Sequence, residues 1–348
     1  MDGVVGMVLA AGLGTRLRPL TDVLPKPAVP VAGVPAIQLA LARLRAAGAR
    51  RAVVNTHHLA DGMAAVATAA ARSVAIDLSV SHEIEIAGTG GALREARPLL
   101  GSATEIVLWN GDILFDVDLG PVLDAHRRSG ALATMVLAPM PPGAAYATVD
   151  VDHTMAVRRI AGLGPGGDAL EPLHFTGVHV LSPAILDHVP ARPHACDVNR
   201  RVHVPLLAAG LVRAVVATGY WNDLGTPERY LAANLDVLAG RARFSGAGGD
   251  PFAGLVARAE RVWVAGNAEV DPSARLAGPA LVGPGAVVEA GASVGPGVVV
   301  GAGSRVGRGA ALERAVVWPG TEIAAGERLS GAVAAGALRV PAVAPERH

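Results

Sequence analysis

Four charged residues stand where they could handle phosphate: Arg16, Lys26, Asp112 and Asp223. The first two follow a glycine break, Ala11-Gly-Leu-Gly-Thr15. Gly12 and Gly14 permit backbone conformations closed to other residues, so several N–H groups can point into one concavity. Lys26 lies between Pro25 and Pro27, which limit where its ammonium can go. Arg18 is a third candidate cation. No Gly-Lys-Ser/Thr follows the glycines, so this is not the Walker phosphate loop. Asp112 closes Asn110-Gly-Asp112, and Asp223 lies in Trp221-Asn-Asp-Leu-Gly-Thr-Pro227. Two carboxylates near a phosphate site can hold Mg²⁺, which keeps some of its waters and takes phosphate oxygens. A turn or cap aspartate would account for either one alone.

These residues need elements to position them. Val4 to Ala10 is an apolar run that reads as a buried parallel strand ending at the glycine loop. Pro35 to Ala47 reads as a helix, with Ile37, Leu41 and Leu44 on one face and Gly48 ending it. Arg51–Thr56, Val74–Val80 and Glu105–Trp109 read as strands, with helices over 59–72 and 89–100. Such alternation predicts an α/β fold, a Rossmann-like, mostly parallel sheet with helices on both faces. Ligands bind beyond the carboxyl ends of such strands, where the glycine loop, Glu83 to Gly91 and Asn110 to Asp112 all fall. Further strands are expected over 131–151, 175–181 and 212–218. Gly177 in the second of these would let a ligand approach the backbone. Thr226 and Pro227 suit the start of a helix running to about Leu238. His57 and His58 follow a strand, but adjacent residues there point apart, which disfavours a shared metal.

Beyond a glycine-rich stretch the pattern changes. Val264, Val270, Leu276, Val282, Val288, Val294, Val300, Val306 and Leu312 recur every six residues. That period is the mark of a parallel β-helix of hexapeptide repeats, left-handed by expectation. Trp318 takes the next slot as an expected cap. The expected domains are 1–240 (catalytic), 241–260 (linker) and 261–340 (repeat).

The run Gly12-Leu-Gly-Thr-Arg-Leu-Arg-Pro-Leu-Thr21, with Pro25-Lys-Pro27 and Pro30-Val-Ala-Gly33, resembles the signature of the sugar-nucleotide pyrophosphorylases, the sugar-1-phosphate nucleotidyltransferases. Gly88-Thr-Gly-Gly-Ala92 is most similar to the mannose-1-phosphate guanylyltransferase branch. The resemblance implies a nucleoside triphosphate and a sugar-1-phosphate as partners and Mg²⁺ as cofactor, held by Asp112 and Asp223. It implies a nucleotide site of Leu9, Ala10, Ala11, Gly12, Gly14, Thr15, Arg16, Glu83, Gly88 and Thr89. Asn110, Gly177 and Asn222 fall at positions implied to lie against the sugar and its phosphate. Arg16 would stabilise the leaving phosphates and Lys26 the α-phosphate. Relatives that use uridine or thymidine nucleotides often carry Gln where this chain has Glu83. A carboxylate only accepts, which suits the two adjacent donors of guanine, so GTP is expected, with UTP or dTTP as the alternative. A Glu-Lys pair that many relatives carry before the equivalent of Gly177 is missing. Gly162 to Gly167 stands there, with Arg158 and Arg159 as possible substitutes.

Composition narrows the classes. Lys plus Arg and Asp plus Glu number 30 each, which gives no general electrostatic reason to bind nucleic acid or an anionic membrane. The single Cys196 suits a reducing cytosol. The N-terminus, with Asp2 and no early cation, does not read as a signal peptide, and no apolar run is long enough to span a bilayer. A cytoplasmic homo-oligomer is expected. A hexapeptide acyltransferase is disfavoured because the only histidine after His203 is His348. A non-catalytic nucleotide-sugar sensor is disfavoured because Arg16, Lys26, Asp112 and Asp223 are all present.

Overall fold

The computed structural model describes residues 3–342 apart from Pro142 and Ala247, so Met1, Asp2 and His348 lie outside the described residues. The chain divides into two compact units, Met1–Gly12 with Ala40–Trp221, and Leu13–Leu39 with Asn222–His348.

The first unit holds a nine-stranded sheet. Its strands are β1 (Val4–Leu9), β2 (Arg51–Thr56), β3 (Asp77–His82), β4 (Glu105–Asn110), β5 (Ala133–Ala138), β6 (Thr148–Val151), β7 (Val157–Ile160), β8 (Glu171–Leu181) and β9 (Val212–Val216). The main order is β7-β6-β8-β4-β1-β2-β3, with β5 on β8 and β9 on β5. β1 pairs in parallel with β2 and β4, and β2 with β3. Helices α1 (Ala36–Ala46), α2 (Ala60–Ser73) and α3 (Gly88–Leu100) supply the crossovers. Adjacent residues of β1 and β2 are buried alike, Met7 with Val8 and Val53 with Val54. Burial of both parities means both faces of these strands are covered.

The sheet is more mixed than the alternation predicts. β8 runs antiparallel to β4, β5 and β6. Short connections such as the one joining β6 and β7 permit antiparallel hairpins without a crossover helix. The strand expected over 74–80 lies at Asp77–His82, because Val74 ends α2 with its N–H bonded to the Ala70 carbonyl.

In the second unit short strands stack in parallel. Glu269 faces Val287 and Val287 faces Arg305, eighteen residues on each time, three hexapeptides per coil. Val264, Val282, Val288, Val294, Val300, Val306 and Leu312 fill one buried core, with Val270 and Leu276 packed against it. Trp318 is not the cap. Arg305 faces Glu322 and Ala311 faces Arg328, seventeen residues on, so one residue is dropped from the turn. Val317 therefore takes the interior slot, followed by Ile323 and Leu329, and Trp318 turns out of that core. Helix α4 (Pro227–Leu238) belongs to this unit, and Thr226 caps it, its hydroxyl accepting from Arg229 N.

Candidate active site

In the first unit the ends of β1, β2 and β4 are tied together. Ala10 N donates to Asn55 Oδ1 at 2.7 Å, and Gly111 N to the Leu9 carbonyl at 2.9 Å. Asn55 Nδ2 donates to Glu83 Oε1 at 2.7 Å, and Ala87 N to Glu83 Oε2 at 2.9 Å. Glu83 is only 1% exposed, so it offers almost no surface to a nucleotide base. It fixes the loop that enters α3.

That loop is closed from behind by the segment around Cys196. Gly90 N donates to the Cys196 carbonyl at 2.7 Å, Cys196 N to the Ala87 carbonyl at 2.7 Å, and Val198 N to Thr89 Oγ1 at 2.8 Å. A Cβ at Gly88 would stand 2.8 Å from the Cys196 carbonyl oxygen, and φ there is +71°. Close backbone approach thus accounts for the glycine. The Cys196 thiol is buried, and burial raises its pKa.

Asn110 and Gly177 meet. A Cβ at Gly177 would lie 3.0 Å from Asn110 Nδ2, with φ at +92°. Asp112 follows on the same β4 end, half-buried. Nearby, Trp221 Nε1 donates to the Thr176 carbonyl at 2.7 Å, and Tyr220 N to Asp116 Oδ1 at 2.6 Å. Arg158 Nε donates to the Gly166 carbonyl at 3.0 Å, so it shapes the loop over 161–168; Arg159 is exposed beside Gly166. His57 Nδ1 meets the Glu83 carbonyl at 3.0 Å. Among the described residues no group of three or more His, Cys, Asp or Glu is arranged to hold a metal.

In the second unit Gly14 has φ +60°, and a Cβ there would lie 2.8 Å from Thr21 Cγ2 and 3.2 Å from Lys26 Cβ. Thr21 Oγ1 and Leu17 N both donate to the Gly14 carbonyl, at 2.9 and 3.0 Å. The turn leaves Gly12, Thr15 and Arg16 exposed while Lys26 is buried. Arg18 pairs with Asp22 at 3.1 Å, which accounts for that cation locally.

Asp223 is mostly buried. Its Oδ2 accepts from Arg229 Nη1 at 2.7 Å and its Oδ1 from Gly225 N at 3.1 Å. Asn222 Oδ1 accepts from Leu224 N at 2.8 Å, and its Nδ2 donates to the Arg229 carbonyl at 3.3 Å. Arg229 and Asn55 escape sequence reasoning. Arg229 stands six residues from its carboxylate, and the place of Asn55 depends on strand register.

Within the second unit, a tight glycine turn packed on a constrained, buried lysine is an arrangement suited to phosphate. The sequence pattern described as Nucleotidyl transferase matches residues 5–240, and the chain belongs to that family. It is 32% identical over 249 residues to a mannose-1-phosphate guanylyltransferase of Mycobacterium tuberculosis (strain ATCC 25618 / H37Rv), covering 69% of this chain and 66% of that one. It is 26% identical over 282 residues to the mannose-1-phosphate guanylyltransferase catalytic subunit beta of Drosophila melanogaster, covering 79% and 71%. A UTP--glucose-1-phosphate uridylyltransferase of Synechocystis sp. (strain ATCC 27184 / PCC 6803 / Kazusa) is 29% identical over 248 residues, covering 67% and 63%. The matched stretch thus spans about two thirds of the length of these relatives. No helix among the described residues is long and apolar enough to cross a membrane.

Proposed function

We propose that the protein transfers the guanylyl group of GTP to mannose-1-phosphate, giving GDP-mannose and pyrophosphate. The observation that carries this is the Gly14 turn with Lys26 packed against it, in a chain whose family is nucleotidyl transferase. The GTP preference is supported by guanylyltransferases among its relatives, and not by Glu83, which is buried in the scaffold. The same chemistry with UTP and another sugar-1-phosphate is the second reading, favoured by the uridylyltransferase relative.

The reaction is a single in-line displacement. A sugar-phosphate oxygen attacks the α-phosphorus, its bond forms as the bond to pyrophosphate breaks, and no covalent enzyme intermediate is needed. Arg16 and the N–H groups of the loop from Ala11 to Thr15 bind the leaving phosphates. Lys26 meets the α-phosphate where charge develops. Asn110, Gly177 and Asn222 hold the sugar phosphate, with Arg159 in place of the missing lysine. Gly88 and Thr89 border the base.

Asp112 and Asp223 would hold Mg²⁺. Both are carboxylates with the hard oxygen donors Mg²⁺ takes; Asp223 already accepts from Arg229 and Gly225 N, so an ion there would share or displace the Arg229 contact. Bound there, the ion would neutralise phosphate charge. Domains over 1–240, 241–260 and 261–340, a left-handed coil, homo-oligomeric assembly and a cytoplasmic location complete the proposal. With GTP labelled at the α-phosphate, label should pass to a sugar nucleotide in one step. Label trapped covalently on the protein would contradict direct displacement.

A further inference from the structure

Lys26 owes its place to a loop, and the loop needs an anchor. From Lys26 the chain runs through a short turn, with Val29 N bonded to the Lys26 carbonyl at 3.2 Å. It then forms the small hairpin Pro30–Val31 against Val34–Pro35. This hairpin carries the Pro30-Val-Ala-Gly33 part of the signature.

Two side chains of α4 grip it. Asn234 Oδ1 accepts from Ala32 N at 2.8 Å, and the Tyr230 hydroxyl donates to the Pro30 carbonyl. Asn234 Nδ2 in turn donates to the Tyr230 carbonyl at 2.9 Å. The Tyr230 oxygen accepts from Trp318 Nε1 at 2.9 Å, with the two rings edge to face. Trp318 comes from the hexapeptide coil, and the coil fixes its backbone. Trp318 N donates to the Ala334 carbonyl at 2.8 Å, and Ser304 Oγ to the Trp318 carbonyl at 2.8 Å. The dropped residue in the turn before it swings the indole out of the coil core.

The series lies wholly within one compact unit: coil, indole, phenol, Pro30 carbonyl, lysine turn. Tyr230 and Trp318 are both buried, so no bulk water can replace a lost partner. Burial raises the Tyr230 pKa, so the phenol keeps its proton and remains the donor to Pro30. A positioned group on a rigid element holds geometry better than one left on a loop.

We propose that Trp318 and Tyr230 are positioning residues for Lys26, so that the hexapeptide coil forms part of the catalytic apparatus. This rests on the reading of Lys26 as the contact to the α-phosphate. A loop misplaced by a fraction of an ångström loses contacts made in the transition state before those made in the ground state. The effect should therefore fall on kcat.

The test uses the full chain with Tyr230→Phe, Trp318→Phe, the pair together, and Lys26→Ala, read by pyrophosphate release and thermal midpoint. Tyr230→Phe deletes one oxygen and is the deciding variant if the indole change disturbs the coil. Each single Phe variant should lose kcat on the order of tenfold, with KM for both substrates within about twofold. The pair should lose no more than the worse single variant, because both act through one carbonyl. Native kcat in both Phe variants, or a rise in KM alone, beside an inactive Lys26→Ala, overturns the positioning role and leaves Lys26 catalytic. Near-native activity of Lys26→Ala overturns the reading of the loop, and the positioning role with it.

Discussion

Side-chain identity at this site follows from what each residue touches. Gly14 is glycine because its φ is +60° and a Cβ would crowd Thr21 and Lys26, and Gly177 because its φ is +92° and a Cβ would press on Asn110. On the proposed metal reading, Asp112→Asn and Asp223→Asn should each keep the fold and lose most Mg²⁺-dependent turnover, since each removes a carboxylate charge from the proposed site. Near-full activity of either variant at limiting Mg²⁺ would remove that residue from the metal site. Glu83→Ala should strip acceptors from Asn55 and Ala87 N, costing about 1–3 kcal/mol of stability for groups left unpaired in the interior. Chemical denaturation measures this. An unchanged midpoint would mean the loop has another anchor. Gly14 and Lys26 are legible because their spacing is local, whereas Gly12 adopts no left-handed φ and a Cβ there would meet nothing within 4 Å, so no backbone requirement explains it. Asn55, 28 residues from Glu83, is not legible, because its contact exists only once β2 and β3 are in register.

Elements were legible where periodicity is strong. The hexapeptide positions fill the coil core, and the β1 and β2 strands are buried as their apolar runs predict. Trp318 was misread because a six-residue period cannot show that one turn is a residue short. Thr226 was read correctly, and Thr226→Ala should cost about 1 kcal/mol through the lost cap. β8 and the π-helical turn Asn199–His203 pack His179 against His203 with ring centroids 4.8 Å apart. Burial brings the His203 pKa down to about 3 and holds His179 well below the usual range, the neighbouring His203 adding to the latter. An unfolded imidazole protonates near about pH 6.5, while these stay neutral in the fold. Their contribution to stability is thus complete above that pH and falls as acidification proceeds towards about pH 3. His203→Gln should flatten the fall in thermal midpoint between about pH 6.5 and 4. An unchanged slope would contradict the neutral pair.

At the scale of the whole molecule, the compact units do not follow chain order. Residues 13–39 group with the C-terminal half. Composition cannot reveal this, because the bonds that join Pro30 and Ala32 to Tyr230 and Asn234 span about 200 residues and leave no local pattern. What the whole chain does is tested most directly by one measurement. Pyrophosphate release is followed with Mg²⁺ over a grid of GTP, UTP, dTTP, ATP and CTP against mannose-1-phosphate, glucose-1-phosphate and other common sugar-1-phosphates. Fastest release is expected with GTP and mannose-1-phosphate, the pair named by the guanylyltransferases among its relatives. Fastest release with UTP or dTTP would contradict the guanylyl assignment, and no release from any pair would contradict nucleotidyl transfer itself.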